Sequence, residues 1–261
     1  MIGLGLSNTK NSDERLVFHP TNIGDCILFY ESYGSANNLT LAATQVTTWK
    51  DVSNTDDDGD VTIDVHQTNA SNKPTWIQAT EVVSFDGGDY LRRAVSDSVY
   101  SISTNTGQTW AFRFSLNDYS KTHTLIGSNN DQSFLKWNGI NGFDFKAINT
   151  ASSATSTVNM TLSASQLDEI GNEDYNDLEV NLYITIDDTR ALRLVFEGQD
   201  SDANGTQFDA NTTLIFAEIG ASNGGDRITG TIKYIGHWAK TISIEERSEL
   251  DSYAQSLIGV S

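Results

Sequence analysis

The chain has 261 residues, 38% of them hydrophobic and 10% aromatic, which suits one large domain with a single core. Its 35 acidic side chains outnumber 16 basic ones, and the net charge of −19 repels nucleic-acid backbones and anionic membrane surfaces. Cys26 is the only cysteine, which excludes an intramolecular disulfide, and no apolar run approaches the roughly 20 residues that span a bilayer.

Residues 1–23 read as an N-terminal arm with a weak strand signal at Leu16-Val17-Phe18. The opening Met1-Ile2-Gly3-Leu4-Gly5-Leu6 lacks basic residues and soon turns polar, so it is not expected to act as a secretory signal. Five Asn-x-Ser/Thr sequons, at Asn38, Asn69, Asn159, Asn204 and Asn211, are then read as chance in an Asn/Thr-rich chain. Beyond the arm, 20 glycines, many Asn, Asp, Ser and Thr, and only Pro20 and Pro74 supply turn chemistry at short intervals, as in a sandwich or barrel.

Strands are expected at 26–31, 82–86, 109–117, 122–127, 133–137, 142–148, 155–161, 178–187, 190–197, 212–219 and 228–238. Cys26 opens the first of them inside an apolar run and reads as a buried small hydrophobe. In 190–197, Leu192, Leu194 and Phe196 share one face, while Arg193 and Glu197 take the other. Asp187-Asp188-Thr189 before it reads as a hairpin turn. In 231–238, period 2 places Ile232, Tyr234 and Trp238 together, alternating with Lys233, Ile235 and His237.

A short helix is expected near 165–170, and a longer one closes the chain. There Ser243 and Glu246 form a capping-box pattern, and Ile244, Leu250, Tyr253, Ala254, Leu257 and Ile258 fall on one face that should pack on the sheets.

Two segments carry candidate chemistry. Asn54, Asp56, Asp58 and Asp60 alternate around Gly59 as in the first half of a calcium loop. Val65 occupies the position of the usual bidentate Glu, Asp64 is one residue away, and a solvated acidic turn is the competing reading. Trp137, Asn138 and Asn141, in Trp-Asn-Gly-Ile-Asn-Gly, offer an aromatic platform and planar amides for a glycan; an ordinary turn capped by Trp is the alternative. His19, His66, His123 and His237 are scattered in no metal-ligand spacing.

Several spaced motifs occur in a characteristic order: Ile27-Leu28-Phe29-Tyr30, Trp49-Lys50-Asp51, Pro74-Thr75-Trp76, Phe85-Asp86-Gly87 leading to Leu91, Gly230-Thr231-Ile232-Lys233-Tyr234-Ile235, and Glu245-Glu246-Arg247. In this the chain resembles the concanavalin A-like, laminin-G-like jelly-roll superfamily, in the variety found in bacterial surface proteins and bacteriophage virion proteins. Over residues 24–261 the resemblance implies an all-β domain: a two-sheet antiparallel jelly-roll sandwich with a C-terminal helix packed on it. Trp49, Trp76 and Phe85 are then scaffold, with Gly87-Gly88 a turn that Asp86 braces. One departure is the Ser53-Asn54 step, which runs into a longer acidic loop.

The β-glucanase branch of the superfamily carries a Glu-x-Asp-x-Glu strand. Here only Glu249-Leu250-Asp251 begins that pattern, and it lies on the expected helix, so no enzyme and no cofactor other than calcium is expected. The resemblance implies a non-enzymatic virion structural protein, a capsid decoration or a neck, tail or fibre component. It would be held to other virion proteins through the arm, exposed on the particle surface and, by analogy, trimeric. The alternative is a carbohydrate-binding adhesion module that recognises host surface glycans, with or without calcium.

Overall fold

The computed structural model describes residues 18–33, 38–53, 63–93, 100–171, 176–200 and 207–256. In the first part of the chain the strands are β1 (Cys26–Glu31), β2 (Leu39–Ala42), β3 (Gln45–Trp49), β4 (Val65–His66), β5 (Thr75–Ile77), β6 (Val82–Asp86), β7 (Leu91–Arg92) and β8 (Tyr100–Ser103). Longer strands follow: β9 (Gln108–Leu116), β10 (Thr122–Gly127), β11 (Phe134–Asn138), β12 (Gly142–Asn149) and β13 (Thr155–Thr161). After helix α1 (Ala164–Gly171) come β14 (Val180–Ile186), β15 (Leu192–Phe196), β16 (Gln199–Asp200), β17 (Thr212–Phe216), β18 (Glu218–Ile219) and β19 (Thr229–Trp238). Helix α2 (Ile244–Ser256) closes the described chain.

The ladders are antiparallel and hydrogen-bonded into one continuous network that folds over into two layers. In the first layer β19 lies between β9 and a pair of shorter neighbours, β6 along its first half and β1 along its second. Strand β9 continues this layer to β14, and β14 to β15. The second layer runs β7–β18–β10–β11–β12–β13, with β17 and β8 extending the far end of β12. Strands β3, β4 and β5 connect the layers, because β5 pairs with β6 and β4 with β7. The all-β jelly-roll sandwich expected from the sequence is the fold.

Alternation along each strand fills the space between the layers. Trp110, Phe112, Phe114 and Leu116 point inward from β9, as do Leu182 and Ile184 from β14 and Leu192, Leu194 and Phe196 from β15. They meet Leu135, Phe143, Phe145, Val158 and Phe216 of the second layer. Aromatic pairs bridge the gap, with Phe114 edge-on to Phe143 at 6.3 Å, Phe143 against Phe196 at 6.0 Å and Trp110 against Phe216 at 6.3 Å. Trp49 is fully buried with its indole N–H donated to the Glu31 carbonyl, and Phe85 joins the same core. Trp76 is half-buried against it.

The alternation expected for β19 is broken. Ile232 opposes Phe114 while Tyr234 opposes Arg113, so Lys233 is an extra residue and the strand bulges there. The bulge turns Ile232 and Ile235 into the sandwich and sends Tyr234 and Trp238 to the outer face, correcting the shared face of Ile232 and Tyr234. Lys233 is itself buried and ion-paired to Glu179, which also holds Arg113. Gly236 is required on the outer face, since a Cβ there would sit 2.4 Å from the Trp238 ring.

Helix α2 covers that outer face. The capping box forms as expected: Ser243 N–H donates to Glu246 at 2.8 Å and Glu246 N–H to the Ser243 hydroxyl at 3.1 Å. Leu250, Tyr253 and Ala254 bury against Phe29, Tyr183, Val195, Tyr234 and Trp238. Tyr253 donates its hydroxyl to the Glu31 carboxylate, and Tyr183 donates to Asp251 at 2.6 Å. Ile244 is not part of this face, being 65% exposed. The first helical turn overhangs the sheet, and Ile242, just before the cap, makes the buried contact instead. Leu257 and Ile258 lie outside the described residues, as do residues 1–17 of the arm; Phe18 and Ile23 pack into the cluster beneath the helix.

Two stability measurements follow. Ser243→Ala should cost about 1 kcal/mol and Leu250→Ala about 2–5 kcal/mol in urea unfolding, the first by uncapping the helix and the second by emptying its contact. Burial holds the His237 imidazole down at about 3, against about 6.5 when unfolded. The unfolded chain therefore takes up this proton first, and the stability His237 contributes above about pH 6.5 is lost as pH falls toward 3. Burial pushes the carboxyls of Glu197 and Glu218 up, which acts in the opposite sense, so the comparison is with His237→Leu. That variant should show a flatter acid limb; parallel curves would contradict the assignment.

Candidate functional site

The turn expected to present a glycan platform is built differently. Trp137 is the penultimate residue of β11, its side chain facing inward, fully buried and edge-on to Tyr119 and Phe143 at 5.4 Å each. Its indole N–H is donated to the Tyr119 carbonyl at 2.6 Å, so neither ring face nor donor is open to a sugar. Asn138 accepts from the backbone N–H groups of Ile140, Asn141 and Gly142, and its amide donates to Asn141 at 3.2 Å. Both amides shape the turn, and the group it presents to solvent is Ile140, 78% exposed.

Of the acidic-loop residues, Asn54, Asp56, Asp58 and Asp60 lie outside the described residues. Asp64 is described, and its carboxylate accepts the Asp51 backbone N–H at 3.0 Å. Among the described residues no three His, Cys, Asp or Glu side chains gather as a metal site. Cys26 is buried, and burial pushes its thiol up to about 12, far from a reactive thiolate.

A site the motifs did not indicate lies where the two layers are joined. Strand β3 pairs Thr48 with His66 of β4, and β4 pairs His66 with Arg92 of β7. Directly opposed residues share a face, so Thr48, His66 and Arg92 form a row across three neighbouring strands. The row floors a cleft of about 600 Å³ that Thr47, Gln67, Thr68, Lys73 and Arg93 complete. That volume falls within the roughly 300–1,000 Å³ of small-ligand sites.

Most of the cleft's side chains are held in place. His66 Nδ1 and the Thr48 hydroxyl are 3.1 Å apart. Gln67 is buried, donating to the Tyr90 carbonyl and accepting from Asn69 N–H, both at 3.0 Å. Arg92 donates to the buried Glu218 at 2.8 Å and lies over the Tyr90 ring, whose centroid is 4.7 Å away. Arg227 sits 4.8 Å from the same centroid, so Tyr90 is flanked by two guanidinium groups.

Arg93 is different. It is 6% exposed, its backbone N–H is tied to the Ala217 carbonyl, and its Nε and Nη2 are buried without a hydrogen-bond partner. Arg92 Nε is in the same condition. Trp76 Nε1 and Thr124 Oγ1 also lack partners, but those groups are neutral. A guanidinium stays charged at any physiological pH, so its unsatisfied N–H groups carry the larger penalty. The described lining thus holds two arginines, a lysine and a histidine and no carboxylate, in a chain where acids outnumber bases 35 to 16. The signal in the sequence is the adjacent Arg92-Arg93 pair directly after the Phe85-to-Leu91 motif.

No protein-family model matches the chain, and neither does any curated protein sequence. Solved structures do match in fold. The binding domain of Paraclostridial Mosquitocidal Protein 1 superposes with a TM-score of 0.53 at 9% identity, over 91% of this chain and 53% of that one. Trypanosoma rangeli sialidase in complex with sialic acid gives 0.52 at 13% identity, over 91% of this chain and 34% of that one. The binding domain of Botulinum Neurotoxin DC in complex with SialylT gives 0.51 at 14% identity, over 89% and 51%. The chain spans about half the toxin binding domains and about a third of the sialidase. At these identities the likeness is one of fold alone, an all-β sandwich.

The Trp137 geometry predicts a stability phenotype. Trp137→Ala should cost about 3–5 kcal/mol in chemical denaturation, as a core truncation does. A variant of unchanged stability would restore the exposed-platform reading.

Proposed function

We propose that this protein is a non-enzymatic carbohydrate-binding module that takes its ligand in the cleft between β3, β4 and β7. The observation that carries this reading is the cleft itself, where Thr47, Thr48, Thr68, the fixed Gln67 and two arginines line one concave surface. Sugars are recognised by such positioned polar groups, which replace the water around ring hydroxyls. The fold neighbours add support, since their descriptions name binding domains of two toxins, one in complex with SialylT, and a sialidase in complex with sialic acid.

Binding rather than cleavage is what these side chains can do. Glycoside hydrolysis by the common route needs two carboxyl groups flanking the scissile bond, and the described lining supplies none. The described lining offers a calcium ion no carboxylate and places guanidinium groups beside it, which does not suit a hard cation. The virion-component expectation rests on the sequence resemblance, and the two readings combine if the module is a particle appendage that binds glycans, attached through residues 1–23.

A glycan array probed with the purified chain, with calcium and with a chelator, tests the reading. Binding to a defined subset of glycans, unchanged by the chelator, is expected. Absence of binding across a broad array by folded protein would contradict the proposal, and loss of binding in chelator would move the site to the acidic loop at 54–64.

A further inference from the structure

We propose that the cleft is specific for an acidic sugar and that Arg93 is the anchor for its anionic substituent, a carboxylate or a sulfate. This rests on the carbohydrate-binding reading of the cleft and names the ligand class that the reading leaves open.

Three observations carry it. The first is the state of Arg93, a lining residue of the cleft that is more than nine-tenths buried and has two guanidinium nitrogens with no acceptor. A planar fork of N–H donors matches a carboxylate or sulfate through two parallel hydrogen bonds. Such an anion satisfies the donors that the protein leaves bare.

The second is the division of labour between the two arginines. Arg92 has its own carboxylate in Glu218, and the Tyr90 ring holds its guanidinium in place. Its charge is already matched, and it serves as wall and hydrogen-bond donor. Glu218 is fully buried behind it and also accepts the Gly224 backbone N–H at 3.1 Å, so it is committed away from the cleft. With Lys73 and Arg93 on the lining and no carboxylate among the described lining residues, the cleft is a local positive site in an acidic chain.

The third concerns what a neutral sugar would need. A neutral ring is commonly held by stacking its C–H face on an aromatic side chain. The imidazole of His66 is the one ring in the described lining, and Trp137, the expected platform, is in the core. Affinity must then come chiefly from charge-assisted hydrogen bonds, with Thr48, Thr68 and Gln67 left to read ring hydroxyls. A polyanion such as a nucleic acid is disfavoured by the net charge of −19, whereas a short acidic saccharide brings only one or a few charges.

The experiment is calorimetric titration of the full chain with three probes: a uronic-acid oligosaccharide, the same oligosaccharide with its carboxyl groups reduced to alcohols, and a sulfated oligosaccharide. The expected result is at least about tenfold tighter binding of one or both acidic probes than of the reduced one, the scale of one charge-assisted pair. The stronger acidic arm identifies carboxylate or sulfate as the ligand's anion.

In Arg93→Gln the acidic preference should disappear while any weak binding of the reduced probe persists, and Arg93→Lys should retain part of it. Should the buried variants fail to fold, Lys73→Ala on the half-buried rim should weaken acidic binding severalfold. Inorganic sulfate should likewise displace the acidic probe from the unmodified protein. Equal affinity for the uronic-acid probe and its reduced counterpart would overturn the inference and leave the carbohydrate reading standing. So would an undiminished preference in folded Arg93→Gln, or failure of sulfate to compete. Binding of none of the probes, together with an empty glycan array, would instead overturn the carbohydrate reading.

Discussion

The double burial of β19 is the constraint on which the rest of this fold depends. One strand supplies Ile232 and Ile235 to the sandwich interior and Tyr234 and Trp238 to the layer under α2. An unbroken two-residue period cannot divide those four residues that way. The bulge at Lys233 resolves the conflict by inserting one residue, and the ion pair with Glu179 matches the charge that the insertion buries. The same strand pairs with β9, β1 and β6, so its position sets both the centre of one layer and the start of the path through β5, β3 and β4 to the other.

That path explains why the cleft lies where it does. Sandwich layers seal each other through long strands with alternating apolar residues, as in β9, β12 and β14. At the junction, β4 and β7 are two residues long and cannot present a broad apolar face. Polar side chains from three adjacent strands therefore line a concave surface on a rigid frame. Thr48, His66 and Arg92 owe their alignment to cross-strand register, and Arg92 owes its orientation to Tyr90 and Glu218. Backbone geometry sets the row, and side-chain packing fixes its donors.

How much of this could be read from the chain depends on where the information resides. Strands indicated by an apolar or β-branched run between turn residues, such as 122–127 and 155–161, are local patterns and coincide with β10 and β13. The capping box at Ser243 is local too, and it forms. Apart from β6, which the pattern at 82–86 indicates, the strands of two to five residues between 39 and 103 exist because distant partners pair with them, so no window of sequence displays them. The bulge was hidden because Tyr234 and Ile235 are both apolar, which leaves either register acceptable by pattern. Trp137 shows the converse error: an aromatic beside an Asn-Gly turn looks available for a ligand, but strand register turns it inward. The cleft was the hardest feature to see, since Thr48, His66 and Arg92 are brought together from separate parts of the sequence by strand pairing alone.

The central claim is that the Arg93 cleft, rather than the turn at 137–142, receives an acidic saccharide. Side-chain NMR of the arginine Nε–H groups, recorded while a uronic-acid oligosaccharide is titrated into the unmodified protein, tests this most directly. The account predicts that the Arg93 Nε–H resonance, together with backbone signals of Thr48 and Gln67, shifts along one saturating curve while Ile140 stays still. Saturable shifts confined to residues 137–142 or to other surface loops, with Arg93 unmoved, would contradict it.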